Sequence, residues 1–587
     1  AAQRPVQRRD DAGGAVGPAP RSTAVSVRCP TTAVVFKESS LQVSFNDELQ
    51  AFMAMAPTQI NDVYDADRNG VFAELTVRFR GPDGSQVTFP GFAMKPAPQA
   101  PWEWRVRWAP DRAGTWTGTL CFKGRAAWDS DRVELEQPLP QAVEVRADPK
   151  VKGPLVAPVA GQNPAYLRER LPDGSTRACW LFGVCRAWVV DPDHQAPQWA
   201  PHEWLDRETE LFAPMRRAGY NLLNQWMAPW EYLLVHHDRA EFWRQEDSSW
   251  ERVELPNQTP WTAYQYYDQG RAQAFDQLVD ACEGTADEPL IRMLLAPMAH
   301  QNFMAHDHPW GGNESGFSPE DDRGTQAHNR LNGLSGFRRG MRVWDFFIAH
   351  PRYPLADWRA QLFDHQANFY RYVIARWGYS RAVGVWVLVD ELDAVGDELG
   401  VMSERTGWWA HPECDDWLAA MTRMFHGDLR RSDGRAYQGD PFGRPVHAAT
   451  TSSGGQGERG GNVDWPRDDR FDLDLLGWHW YPDYFGQITR RRGIWDYVIN
   501  GIGNYARAPG PDRPRFISEF GLLERYGPEE MPSRLYPTVY HHAIWAGTFA
   551  GLAGPPMDWD DGKEFGELRW RERKGAFDRE RDRKSVV

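Results

Sequence analysis

The chain has 587 residues, 41% hydrophobic and 25% charged, with a formal net charge of −14. That length is too great for one ordinary core and predicts two or more domains of normal globular composition. An acidic chain with no basic stripe before its final charged residues is not built for nucleic acid, and it has no apolar run of about 18 residues that would predict a membrane span.

Residues 1–28, rich in Ala, Arg, Gly and Pro, have no period and read as a disordered tail. From 30 to 150 short alternating runs such as "AELTVRF", "WEWRVRWAP" and "GTWTGTLCF" are separated by Gly, Pro, Asp and Asn. This pattern predicts an antiparallel β-sandwich domain. From 155 to 570 apolar runs alternate with amphipathic stretches. Strands are expected at 179–188, 220–227, 290–300, 382–392, 445–453, 473–483, 513–521 and 551–559. Eight strands alternating with helices give an α/β fold, a (β/α)8 TIM barrel, with a doubly wound open sheet as the alternative. Residues 571–587 are almost all charged and read as a tail in which the eighth helix is truncated or replaced by foreign sequence.

The 29 Trp, 28 Phe and 19 Tyr admit two readings, an aromatic-rich core or flat platforms for sugar rings. The connections 228–270 and 301–345 carry Trp230, Trp243, Trp250, Trp261, Tyr264, Tyr266, Tyr267 and Trp310. Loops that follow barrel strands lie at the mouth. They are expected either to wall a saccharide cleft or to pack on the sandwich. The six cysteines form no C-x-x-C pair and no disulfide framework. "GQGERG" at 455–460 lacks the following helix that a dinucleotide site needs, "HDHPW" and "VHHD" lack ligand spacing on a helix, and no G-x-S-x-G elbow occurs. Neither a cofactor nor a metal is expected.

"GVWVLVDEL" places Asp390 and Glu391 at the end of the fourth strand, and "RPRFISEFG" places Glu519 at the end of the seventh. Strands four and seven lie on opposite sides of a closed eight-stranded sheet, so these carboxylates can face each other across the mouth. Glycosidic cleavage needs two carboxyl groups flanking one bond, one protonated and one ionised. The plainer alternative is a pair of solvated strand-end glutamates.

The strand-four and strand-seven pair resembles the retaining clan A of (β/α)8 glycoside hydrolases, which includes β-1,4-glucanases and β-mannanases. The segment "FPGF…WEWRVRWAPDRAGTWTGTL" resembles a domain that often precedes such barrels in bacterial glycosidase-like proteins. The resemblance runs from about 35 to 562. It implies Glu391 as general acid/base, Glu519 as nucleophile, and "WHWYPD" as the strand-six motif. Tyr481 would then hydrogen-bond the nucleophile, while His479 lines the sugar subsite. Trp559 would be a stacking platform and His300 a substrate contact; Trp226 is a further candidate for the cleft. Two positions depart from the clan: Asp390 stands where Asn precedes the acid/base, and Asn224 stands where an arginine steadies the nucleophile. Both departures should raise carboxyl pKa values, at Glu391 and Glu519 respectively.

The resemblance implies a hydrolase of O-glycosyl bonds acting on a β-linked oligo- or polysaccharide. The rivals are a weak or inactive saccharide-binding protein on the same barrel and, less well supported in an acidic chain, a lyase on acidic polysaccharide. No signal peptide is legible, and an extracellular or periplasmic location is expected only from the substrate class. Oligomeric state is not legible.

Overall fold

The computed structural model describes residues 25–45, 72–94, 103–125, 133–187, 205–206, 208–227, 232, 234, 241–246, 249–254, 267, 269–285, 288–299, 356–392, 413–430, 436–450, 471–481, 494–508, 512–521 and 536–559. His300, the motifs at 306–310 and 455–460, most of 228–270, all of 301–345 and the C-terminal residues from 560 lie outside them.

Two largely antiparallel sheets form the N-terminal region. One orders Val25–Arg28, Ser39–Phe45, Glu103–Trp108 and Phe92–Met94. The other runs from Thr32–Val34 through Val143–Arg146, Gly114–Arg125 and Phe72–Arg80 to Gln86–Pro90, with Val133–Pro138 beside Gly114–Arg125. Only Thr32–Val34 pairs in parallel within these two sheets. Phe79 stacks on Trp108 at 4.0 Å and Phe45 meets Phe122 at 5.0 Å, so the inward residues of the two sheets share one core. Residues 25–28, expected to belong to a disordered tail, form a strand. Val25–Arg28 alternates buried and open side chains and pairs with Gln42–Phe45, and that pairing satisfies its backbone.

Eight parallel strands then close a barrel: β1 (Gly183–Cys185), β2 (Leu222–Trp226), β3 (Arg292–Ala296), β4 (Val383–Val387), β5 (Val446–His447 and Ala449–Thr450), β6 (Leu476–Trp480), β7 (Arg515–Phe520) and β8 (Asp558–Trp559). The first piece of β5 pairs with β4 and the second with β6, while β8 pairs with both β7 and β1, so the ring has no open edge. The doubly wound alternative is thereby removed. The strands are short and almost wholly buried, as parallel strands covered on both faces must be, which is why they read as apolar runs rather than alternations.

Helices α1 (Phe212–Ala218), α2 (Gln269–Glu283), α3 (Ala356–Trp377), α4 (Glu413–His426), α5 (Ile494–Arg507) and α6 (Tyr536–Ala550) connect the strands. The start of β2 is set locally. Gly219 takes a left-handed φ of 80° and its N–H meets the last carbonyls of α1, so the chain turns at once into Leu222. The connection 228–270 contains structure the sequence did not suggest, a hairpin of Glu241–Glu246 with Ser249–Glu254.

The N-terminal end of the barrel is stoppered by a small sheet of Leu155–Val156, Arg168–Arg170 and Thr176–Ala178. Leu155 and Leu167 join the barrel's inner core, and Glu169 pairs with the buried Arg292 at the start of β3. The N-terminal sheets and the helical layer share a single apolar cluster. Its polar centre is Arg107, which reaches Asp276 of α2 at 2.7 Å and the Arg376 carbonyl of α3 at 3.1 Å. Among the described tryptophans, Trp104, Trp108, Trp116, Trp377 and Trp386 are core residues, with Trp226 and Trp480 buried in the barrel wall. Among the described residues no helix is long and apolar enough to cross a membrane.

Candidate active site

The C-terminal ends of β4, β6 and β7 bring Asp390, Glu391, His479, Tyr481 and Glu519 together. β4 stops pairing at Val387, before the predicted strand end, and Asp390 forms an isolated bridge with Ala299 beyond β3. Glu391 follows with φ +51°, a left-handed conformation that costs a side-chain-bearing residue about 1–2 kcal/mol. Such strain persists only where the surroundings impose it, and it collects at working sites.

His479 is the hub. Its Nδ1 lies 2.8 Å from Glu391 Oε1 and 3.1 Å from Glu519 Oε1, and its Nε2 lies 3.6 Å from Asp390 Oδ2. Because two contacts share one nitrogen, those oxygens of Glu391 and Glu519 are at most about 6 Å apart, the sum of the 2.8 and 3.1 Å contacts. Tyr481, two residues along and on the same face, donates its hydroxyl to Glu519 Oε2 at 2.8 Å. The strand-six spacing places Tyr481 on the Glu519 carboxylate, whereas His479, expected to line the sugar subsite, is fully buried against both glutamates.

Burial dominates the electrostatics. Glu519 is 2% exposed. Desolvation and the nearby Glu391 and Asp390 push its carboxyl well above the usual range, against the opposing pull of His479 and the Tyr481 hydroxyl. The expected direction is found, with burial rather than the missing arginine as its main cause. Burial alone would lower His479, but Glu519, Asp390 and Glu391 outweigh it and the imidazole is pushed up to about 10. Donor atoms of Asp390, His479 and Glu519 lie within 4.8 Å of one another. A cation there would have to displace the proton that the surrounding acids favour on the imidazole.

Asn224 is fully buried on β2 and does not reach the Glu519 carboxylate. Its amide donates at 3.4 Å to Cys185 Sγ and at 3.4 Å to the backbone carbonyl of Ser518, the residue before Glu519. It steadies the strand rather than the charge. Trp226 and Trp559 meet at a tilt, with centroids 5.6 Å apart and 58° between ring planes, both nearly buried. They form an aromatic corner beside Tyr481, since Gly521 lies between the Tyr481 ring and Trp559.

Sequence reasoning missed His447 of β5. Burial and the nearby His479 charge hold it neutral, at about 3. Its ring occupies the space over Gly477 of β6, where an added Cβ would fall 2.0 Å from His447 Cε1. The available signal was the glycine itself, in the middle of the apolar strand "LGWHW", a position that marks a close approach.

No protein-family model matches the chain, and no curated protein matches it. Among solved structures it is similar to a Bacteroides ovatus GH5 xyloglucanase in complex with a XXXG heptasaccharide, at 11% identity over 95% of this chain and 100% of that one, with a TM-score of 0.38. It is also similar to GH5_18 from Bifidobacterium longum subsp. longum, at 12% identity over 65% of this chain and 69% of that one, TM-score 0.35. A third is Lactobacillus rhamnosus β-glucuronidase, at 13% identity over 92% of this chain, TM-score 0.33; the chain spans 60% of that protein's length. These are distant likenesses, and the assignments below stand on the geometry of the mouth.

Proposed function

We propose that the protein is a retaining glycoside hydrolase acting on a β-linked oligo- or polysaccharide. The observation that carries this reading is the meeting of Glu391 and Glu519, from opposite strands, on one imidazole nitrogen. A separation of about 5–5.5 Å between carboxyl groups suits a retaining pair, and wider gaps suit an inverting one. The bound set by the shared nitrogen favours the first.

In this mechanism Glu519 attacks the anomeric carbon as the bond to the leaving oxygen breaks and Glu391 gives that oxygen its proton. Glu391 then takes a proton from water, whose oxygen displaces Glu519 and frees the sugar. Tyr481 orients the nucleophile through its 2.8 Å hydrogen bond. Trp559, at the mouth end of β8, is the platform this reading assigns to the ring, with Trp226 buried behind it. No step calls for a cofactor. Asp390 and Asn224, the two departures from the clan, keep a non-catalytic saccharide-binding reading in play.

A panel of aryl β-glycosides separates the two. Glu519→Ala should lower kcat by on the order of 10⁵-fold, the loss of a positioned nucleophile. Glu391→Ala should cost about 10²–10⁴-fold with poor leaving groups and much less with activated ones. Equal and negligible release from wild type and both variants, with saccharide binding intact, would leave only the binding reading.

A further inference from the structure

Both ring nitrogens of His479 face carboxylates, Nδ1 toward Glu391 and Glu519 and Nε2 toward Asp390. A neutral imidazole has one donor and one lone pair. Either tautomer would turn its lone pair toward at least one carboxylate, whereas the imidazolium presents a donor on both sides. Asn224 holds the position where the resemblance implies an arginine, and its neutral amide is spent on Ser518 and Cys185. The cation that meets all three acids is therefore a histidine.

We propose that Asp390 holds His479 as an imidazolium, and that this ring is the shared cation of the Glu391–Glu519 pair, a positioning residue that keeps Glu519 ionised while Glu391 retains its proton. The positioning role rests on the glycosidase reading; the charge state does not. The groups facing the ring are Asp390 and Glu391 beyond β4, Glu519 of β7 and, on the β5 side, His447, with Tyr481 of its own strand bound to Glu519. Removing the Asp390 charge strips one of the two anions, Asp390 and Glu519, from the ring. It should lower the His479 pKa and bring down the alkaline limb of the pH–rate profile with it. A ring held only by packing would show neither change.

The test is ring-nitrogen NMR on histidine-labelled protein, with His479→Gln to assign the signals. His479 should show two protonated nitrogens from pH 6 to 9, beside a neutral His447 as internal reference. Asp390→Asn should move the His479 midpoint down by at least tenfold in proton affinity, and the alkaline limb of kcat/KM by the same factor. A neutral His479 tautomer in the wild-type protein at pH 7 overturns the proposal even if Asp390→Asn does not fold. So does an Asp390→Asn protein whose midpoint is unchanged. A charged His479 in a protein that cleaves no glycoside would sink the glycosidase reading and leave the charge assignment standing.

Discussion

Two buried charge clusters sit about one barrel wall, and they are built on opposite principles. Where the N-terminal sheets meet the helices, Arg107 and Arg376 close on Asp276, and Glu38 lies 3.3 Å from Arg107. Trp377 donates to Asp276 at 2.8 Å, and Arg376 also donates to the Tyr372 hydroxyl. Two cations meet two carboxylates. Burial works against the Asp276 charge, yet the two guanidiniums hold its carboxyl far below the usual range. At the mouth three carboxylates share one imidazole, and Glu519 is pushed the other way. Similar burial thus gives opposite shifts because one cluster balances its charge and the other does not. The balanced cluster is a fastening. The unbalanced one leaves Glu519 dependent on the His479 contact to offset its burial and its acidic neighbours.

The comparison can be broken at either end. Asp276→Ala should have the largest effect on stability, about 3–5 kcal/mol, because it strands two buried guanidiniums. Chemical denaturation measures the loss, and activity per folded molecule should be nearly unchanged. The sign with pH follows: the Asp276 pKa is depressed, so its stabilisation is present above the unfolded carboxyl pKa and fades as pH falls through the lower folded value. Gly477→Ala should cost less stability, about 1–3 kcal/mol, from driving a methyl group into the His447 ring. It should cost more activity, because the displaced ring borders the His479 strand. Reversal of that order, with Asp276→Ala the more damaging to turnover of folded enzyme, would erase the distinction between the clusters. Arg177→Ala, at the open end of the Glu169 pair that stoppers the barrel, should change stability by less than about 1 kcal/mol. A large loss there would mean that the stopper, and not the interface, is the main fastening.

How much of this the sequence carries depends on the kind of pattern involved. Barrel strands were legible because burial on both faces leaves unbroken apolar runs, and Glu391 and Glu519 stood out as acids ending such runs. The His479–Tyr481 spacing was legible because a strand repeats every two residues. Arg107 was not: in "EWRVRW" it alternates with Trp104, Val106 and Trp108 and reads as the solvent side of a strand. Only the helices packed on that face bury it. The shared role of His479 was hidden for the same reason, since its partners come from two other strands. The tryptophan excess was ambiguous because core filling and sugar stacking favour the same side chain, and the described tryptophans are mostly core.

The most direct measurement is trapping of the glycosyl-enzyme with an activated 2-deoxy-2-fluoro β-glycoside, followed by peptide mapping. A double displacement at this mouth predicts a single added glycosyl mass on Glu519, absent from Glu519→Ala. A label on any other residue, or turnover by Glu519→Ala at the wild-type rate, would contradict it.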